Sequence, residues 1–90
     1  MKEIRKKVWP EYFQQIKNGT KKFELRLADF DVKEGDVLVL EEYEPETNTY
    51  TGRKIKKKVG NIIKVNPTRM HRLEEIKKYG FYVIELENGN

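Results

Sequence analysis

Lys21, Glu24 and Arg26 lie within the octet Gly19-Thr20-Lys21-Lys22-Phe23-Glu24-Leu25-Arg26, of the form G-x-K-x-x-E-x-R. An ammonium and a guanidinium can hold a phosphate or a base acceptor, the guanidinium through a planar fork of donors. A carboxylate can accept from an exocyclic amine, as it does with cytosine. Trp9 and Tyr12, just upstream, can stack on a base. The same set also reads as an acid–base constellation, with Lys21 as base and Glu24 orienting it or activating water. An ordinary reading competes with both. Gly19 is then a helix C-cap, Lys22, Glu24 and Arg26 are exposed charges on a sheet face, and Lys21 with Glu24 is a surface ion pair. Trp9 and Tyr12 would in that case cap the core.

Other chemistries fail on residue types. There is no cysteine, hence no disulfide framework and no cysteine-based zinc or iron site. The single histidine, His71, rules out any site needing two. Neither a P-loop nor a dinucleotide fingerprint occurs. No cofactor or metal is expected.

The candidate residues need elements to hold them. Ile4 to Val8 reads as a first strand whose Arg5-Lys6-Lys7 run suits a solvated edge. Trp9-Pro10 stops it, and proline is preorganised for a first helical position. Tyr12, Phe13 and Ile16 recur at helical spacing, and Gly19 ends a helix of about nine residues that must pack on a sheet. A strand follows from Lys22 to about Ala28. Its alternation assigns Phe23, Leu25 and Leu27 to the buried face and Lys22, Glu24 and Arg26 to the other. Lys21 then sits at the helix-to-strand joint, where its side chain can reach a cleft.

Asp29 to Asp36 is a polar connection, and Val37-Leu38-Val39-Leu40 reads as a central strand covered on both faces. Pro45 to Thr49 is a hairpin loop. It leads into a long strand from about Tyr50 to Val65. The basic run Arg53 to Lys58 is expected to form cross-strand ion pairs with Glu41, Glu42, Glu44 and Glu46. Lys57 shares parity with Ile55 and Val59, so it must snorkel, sit at a rim or enter a pocket. Gly60 marks a bulge or corner, after which Ile62, Ile63 and Val65 return to the core. Asn66-Pro67 breaks the strand. A second short helix is expected from Thr68 to Tyr79, and Phe81 to Leu86 is the final strand.

This order predicts an α+β fold: one domain over residues 1–90, a small, mainly antiparallel β-barrel with two short helices. The chain is 37% hydrophobic and 38% charged, yet its apolar residues are periodic, which argues against disorder. The net charge of +4 permits a polyanionic partner. No apolar run approaches the roughly 20 residues of a membrane span, and no signal peptide pattern opens the chain, so the cytoplasm is the expected compartment. A protein partner gripping the charged hairpin of residues 41–58 is a further possibility.

The octet, the Pro10-Glu11-Tyr12-Phe13 helix start, Gly35-Asp36 before Val37 to Leu40, Tyr50-Thr51-Gly52 and Gly80-Phe81-Tyr82-Val83-Ile84 together resemble the ASCH domain, in particular a prokaryotic subgroup. The resemblance implies a PUA-like barrel with a cleft beside the octet, and binding of RNA or a modified nucleoside there. Taken with the chemistry of the residues, it makes Trp9, Tyr12, Gly19, Lys21, Glu24 and Arg26 the expected ligand-binding residues. Some bacterial relatives hydrolyse N4-acetylcytidine with the motif lysine, a threonine three residues later and a distant glutamate. Lys21 matches that lysine, and Glu24 replaces the threonine. A carboxylate cannot copy a neutral hydroxyl nucleophile. If the chain is an enzyme, it is expected to be an amidohydrolase, with Lys21 carried over from the resemblance and Glu24 orienting it or activating water by its own chemistry. Thr20 and Thr68 are the hydroxyls that could stand in, and Glu74 and Glu75 are candidates for the distant glutamate.

Overall fold

A computed structural model describes residues 1–65 and 79–88. The strand β1 (Glu3–Val8) leads into helix α1 (Pro10–Lys17) and strand β2 (Phe23–Leu27). Three longer strands follow: β3 (Val37–Glu44), β4 (Thr49–Val65) and β5 (Phe81–Asn88). They form one sheet in the order β1-β3-β4-β5-β2. The sheet is mixed, because β1 runs parallel to β3 while the other pairings are antiparallel. The end strands β1 and β2 come together: Arg26 Nη2 on β2 donates to the Lys7 carbonyl on β1 at 2.6 Å. The sheet is therefore curled into a half-barrel, its seam crossed by a side chain. The second helix expected from Thr68 to Tyr79 lies outside the described residues except for Tyr79, which is helical.

Helix α1 begins as its sequence requires, with Pro10 in the first turn and Glu11 beside it. Phe13 and Ile16 are its buried residues, and it packs against β3. They join Val8, Leu38, Leu40, Val59, Ile84 and Leu86 in one core on the concave side of the sheet. Leu38, Val39 and Leu40 are all buried, as the continuous apolar run of a covered strand implies.

The bulge expected at Gly60 is present, as the β4–β5 register shifts between Val59 and Ile62. One extra residue swaps the faces of everything beyond it. Ile62 accordingly packs on the core, while Ile63 and Val65 are exposed. That corrects the expectation that all three are core residues. The ion pairs also differ from those expected. Arg53 does reach Glu42 across the hairpin at 3.7 Å. Glu41, however, pairs with Arg5 of β1 at 3.8 Å, and Lys56 with Glu3 at 3.0 Å. Glu42 is itself buried, accepting from Thr51 Oγ1 at 2.6 Å.

Candidate functional site

The seam between β1 and β2, roofed by the start of α1, is a cleft of about 460 Å³. Its lining includes Trp9, Tyr12, Lys21, Glu24 and Arg26. Gly19 is not among them and instead borders a second hollow with Ile16, Lys22, Lys57, Leu86 and Glu87. Lys57 thus enters a pocket, one of its three expected fates.

The joint between α1 and β2 fixes Lys21. Gly19 adopts a φ of +81°, a left-handed turn that side chains other than glycine rarely accept. The Gly19 N–H donates to the Ile16 carbonyl at 3.1 Å, and the Lys21 N–H returns to the Gln15 carbonyl at 3.0 Å. The backbone of Lys21 is thereby tied to the helix end. Its ammonium then donates to Glu24 Oε1 and to the Phe23 carbonyl, both at 2.7 Å.

Strand β2 presents the reverse of the faces expected of it. Glu24 is 4% exposed, whereas Phe23 and Leu25 are 52% and 58% exposed. Alternation separates the two faces of a strand but does not say which turns inward. Here the charged face turns inward because its charges satisfy one another. Glu24 Oε2 accepts from Arg26 Nε at 2.7 Å, so each carboxylate oxygen is held by one cation. The Arg26 fork also carries the bond that closes the seam. A buried carboxylate is tolerated when paired and hydrogen-bonded in this way. The triad carries one net positive charge.

Trp9 and Tyr12 stack on each other at 6.4 Å between ring centroids, with 27° between planes. Both remain exposed, so they wall the cleft instead of capping the core. Lys21 Nζ lies 6.0 Å from the Tyr12 ring and 5.2 Å from the Phe23 ring, a cation between two aromatic faces. Thr20, the nearby hydroxyl, is exposed and does not line the cleft. Thr68, Glu74 and Glu75 lie outside the described residues, as does His71.

Lys7, Val8, Phe23 and Leu25 also line the cleft, outside the expected ligand-binding set. Lys6 stands on the inward side of β1, its ammonium 3.7 Å from the Phe30 ring centroid. Burial pushes the Lys6 amine below the ordinary lysine range; the Asp29 carboxylate opposes this and the Arg26 charge adds to it. The parity of Lys6 with Ile4 and Val8 is a sequence signal for that position. Lys7 has none, since its approach to the octet depends on the curl of the sheet.

A family model described as "Domain of unknown function (DUF3850)" matches residues 5–73, a span that includes every described residue lining the cleft. Two solved structures are similar along nearly their whole lengths. The crystal structure of hypothetical protein PH0355 is 26% identical with a TM-score of 0.71, over 97% of this chain and 98% of that one. The solution NMR structure of protein PF0455 from Pyrococcus furiosus is 26% identical with a TM-score of 0.59, over 94% of this chain and 96% of that one. No curated protein matches the chain.

Proposed function

We infer that this chain, which belongs to the family described as a domain of unknown function (DUF3850), is a binding module for single-stranded RNA or a modified nucleoside. The ligand lies in the cleft between α1 and β2. One observation carries this reading: a stacked aromatic pair, Trp9–Tyr12, and a cation pair, Lys21 and Arg26, face the same cleft. Its volume falls within the roughly 300–1,000 Å³ of small-molecule sites. Aromatic faces hold single-stranded bases at about 1–3 kcal/mol each. Lys21 spends two of its three donors on Glu24 and Phe23, and Arg26 spends two of its five on Glu24 and Lys7. The remaining donors are available to a phosphate or a base acceptor. Glu24, with both oxygens engaged, positions the two cations and has little left for an exocyclic amine. The curled sheet, the helix over its seam and the octet at the cleft suit a PUA-like barrel of the ASCH type.

An amidohydrolase acting on N4-acetylcytidine-type nucleosides would draw on the same Lys21–Glu24 contact. Binding is preferred because, among the described residues, the cleft lining includes no serine or threonine, and Glu24 is held by cations on both oxygens. Fluorescence polarisation of a short labelled single-stranded RNA tests the reading. Affinity should fall with salt by a log–log slope of about −0.7 per phosphate neutralised. Lys21→Ala and Arg26→Ala should each weaken binding about tenfold, while charge reversal at Lys54 and Lys58 changes it little. Binding lost only on reversal of the hairpin lysines would contradict the cleft assignment. Release of acetate from N4-acetylcytidine, abolished by Lys21→Ala in a folded protein, would replace binding with hydrolysis.

A further inference from the structure

As an end strand, β2 uses only half of its backbone in the sheet. The register sets Glu24 against Ile84 and Leu25 against Val83. The Leu86 N–H donates to the Lys22 carbonyl at 2.9 Å, and the Ala28 N–H to the Gly80 carbonyl at 2.8 Å. Hydrogen-bonded pairs alternate along an antiparallel ladder. Lys22, Glu24, Arg26 and Ala28 therefore spend their main-chain groups on the β5 side, while Phe23 and Leu25 turn theirs toward the open seam. Two carbonyls at that seam are already capped. Lys21 Nζ takes the Phe23 carbonyl at 2.7 Å, and Arg26 Nη2 takes the Lys7 carbonyl at 2.6 Å. The N–H and C=O of Leu25 have no main-chain partner among the described residues. In an extended residue these two groups point the same way, so they offer a donor beside an acceptor.

We propose that the main chain of Leu25 hydrogen-bonds the Watson–Crick edge of the bound base, so that the cleft accepts only unpaired bases. This rests on the RNA or nucleoside reading above and names what that site reads. Every nucleobase carries an acceptor next to a donor on that edge: N3 and the amine in cytosine, O4 and N3–H in uracil. A base already in a duplex has neither group free. The main chain thus selects the unpaired state and not the identity of the base, while the side chains of the triad hold charge. Recognition of splayed single-stranded bases by stacking plus edge hydrogen bonds is the general mode for RNA. An added peptide strand is disfavoured, because Lys21 on the Phe23 carbonyl occupies the next ladder position.

The test compares uridine 5′-monophosphate with 3-methyluridine 5′-monophosphate by amide chemical-shift titration of the full chain. The two share charge and stacking face, but methylation removes the N3–H donor. Uridine monophosphate should bind about tenfold more tightly, the loss of one well-made hydrogen bond, with the Leu25 amide among the largest shifts. A second arm uses Leu25→Pro, which deletes the N–H. Proline is accepted on an end strand where the N–H lies off the ladder, and the Leu25 side chain is largely exposed. That variant should bind uridine monophosphate no better than the unaltered protein binds the methylated nucleotide. If it does not fold, the nucleotide pair alone decides. Equal affinity for the two nucleotides, with shifts in the cleft, overturns main-chain readout and leaves the binding site standing. No shift at any cleft residue with either nucleotide overturns both.

Discussion

Glu24 determines where the two cations of the cleft point. Its carboxylate is nearly inaccessible, while the side chains of Lys21 and Arg26 are 17% and 24% exposed. Removing the anion leaves two half-buried cations facing each other. Glu24→Ala should therefore lower stability by about 3 kcal/mol, read from urea unfolding midpoints. Lys21→Ala leaves Glu24 paired with Arg26 and should cost clearly less; equal losses would contradict a triad centred on Glu24. A second buried acid acts on the fold alone. Asp36 Oδ2 accepts from the Lys33 N–H at 2.9 Å and Oδ1 from the Lys2 N–H at 3.2 Å. The Lys33 bond first, against burial and with help from Lys2, holds its carboxyl below the ordinary value of 3.8. A depressed carboxyl contributes stability that is complete above the unfolded value and lost as pH falls through the lower folded one. Asp36→Asn should thus melt below the unaltered protein at pH 6, and the gap should close as pH drops below 3.8. The charged triad Lys21, Glu24 and Arg26 was legible in the octet. Their burial was not, because a strand pattern ranks hydrophobicity and cannot count the hydrogen bonds that make a charged face cheap to bury.

Element boundaries followed from punctuation. Pro10 opens α1, Gly19 ends it, and the bulge falls beside Gly60. The two glycines should respond differently to substitution. At Gly19 an added Cβ would meet nothing within 4 Å, but φ is +81°. Gly19→Ala should then cost about 1 kcal/mol in backbone strain and, by shifting Lys21, weaken ligand binding as well. At Gly60 an added Cβ would meet carboxylate oxygens of Glu85 and Glu87, at the ends of exposed, flexible side chains. Gly60→Ala should cost less than Gly19→Ala in thermal melts, and the reverse order would mean that the bulge backbone is the tighter constraint. Beyond the bulge the sequence misleads for a local reason. Ile63 and Val65 are apolar, yet one extra residue has turned them outward. A composition rule sees the residue types; only the register shows the face.

At the scale of the molecule, the curl of the sheet makes the site. It brings β1 and β2 from opposite ends of the strand order to the two walls of one cleft. Lys7 becomes a neighbour of the octet only through that closure, so no pattern local to β1 could reveal it. The strand sequence and its α+β class were readable from periodicity, whereas the parallel pairing of β1 with β3 was not. Arg26 spans the seam, and its loss should loosen the closure. Arg26→Ala should speed amide exchange in β1 relative to the β4–β5 ladder, whereas unchanged β1 protection would show that the half-barrel closes without it. On the reading proposed above, the cleft, and not the basic hairpin, receives RNA. The most direct test of that reading is an amide chemical-shift titration with a short single-stranded RNA near physiological salt. Shifts should concentrate at Trp9, Tyr12 and Lys21 through Arg26, with the Trp9 indole N–H among them. Shifts confined to Lys54 through Lys58 and erased by added salt would contradict it.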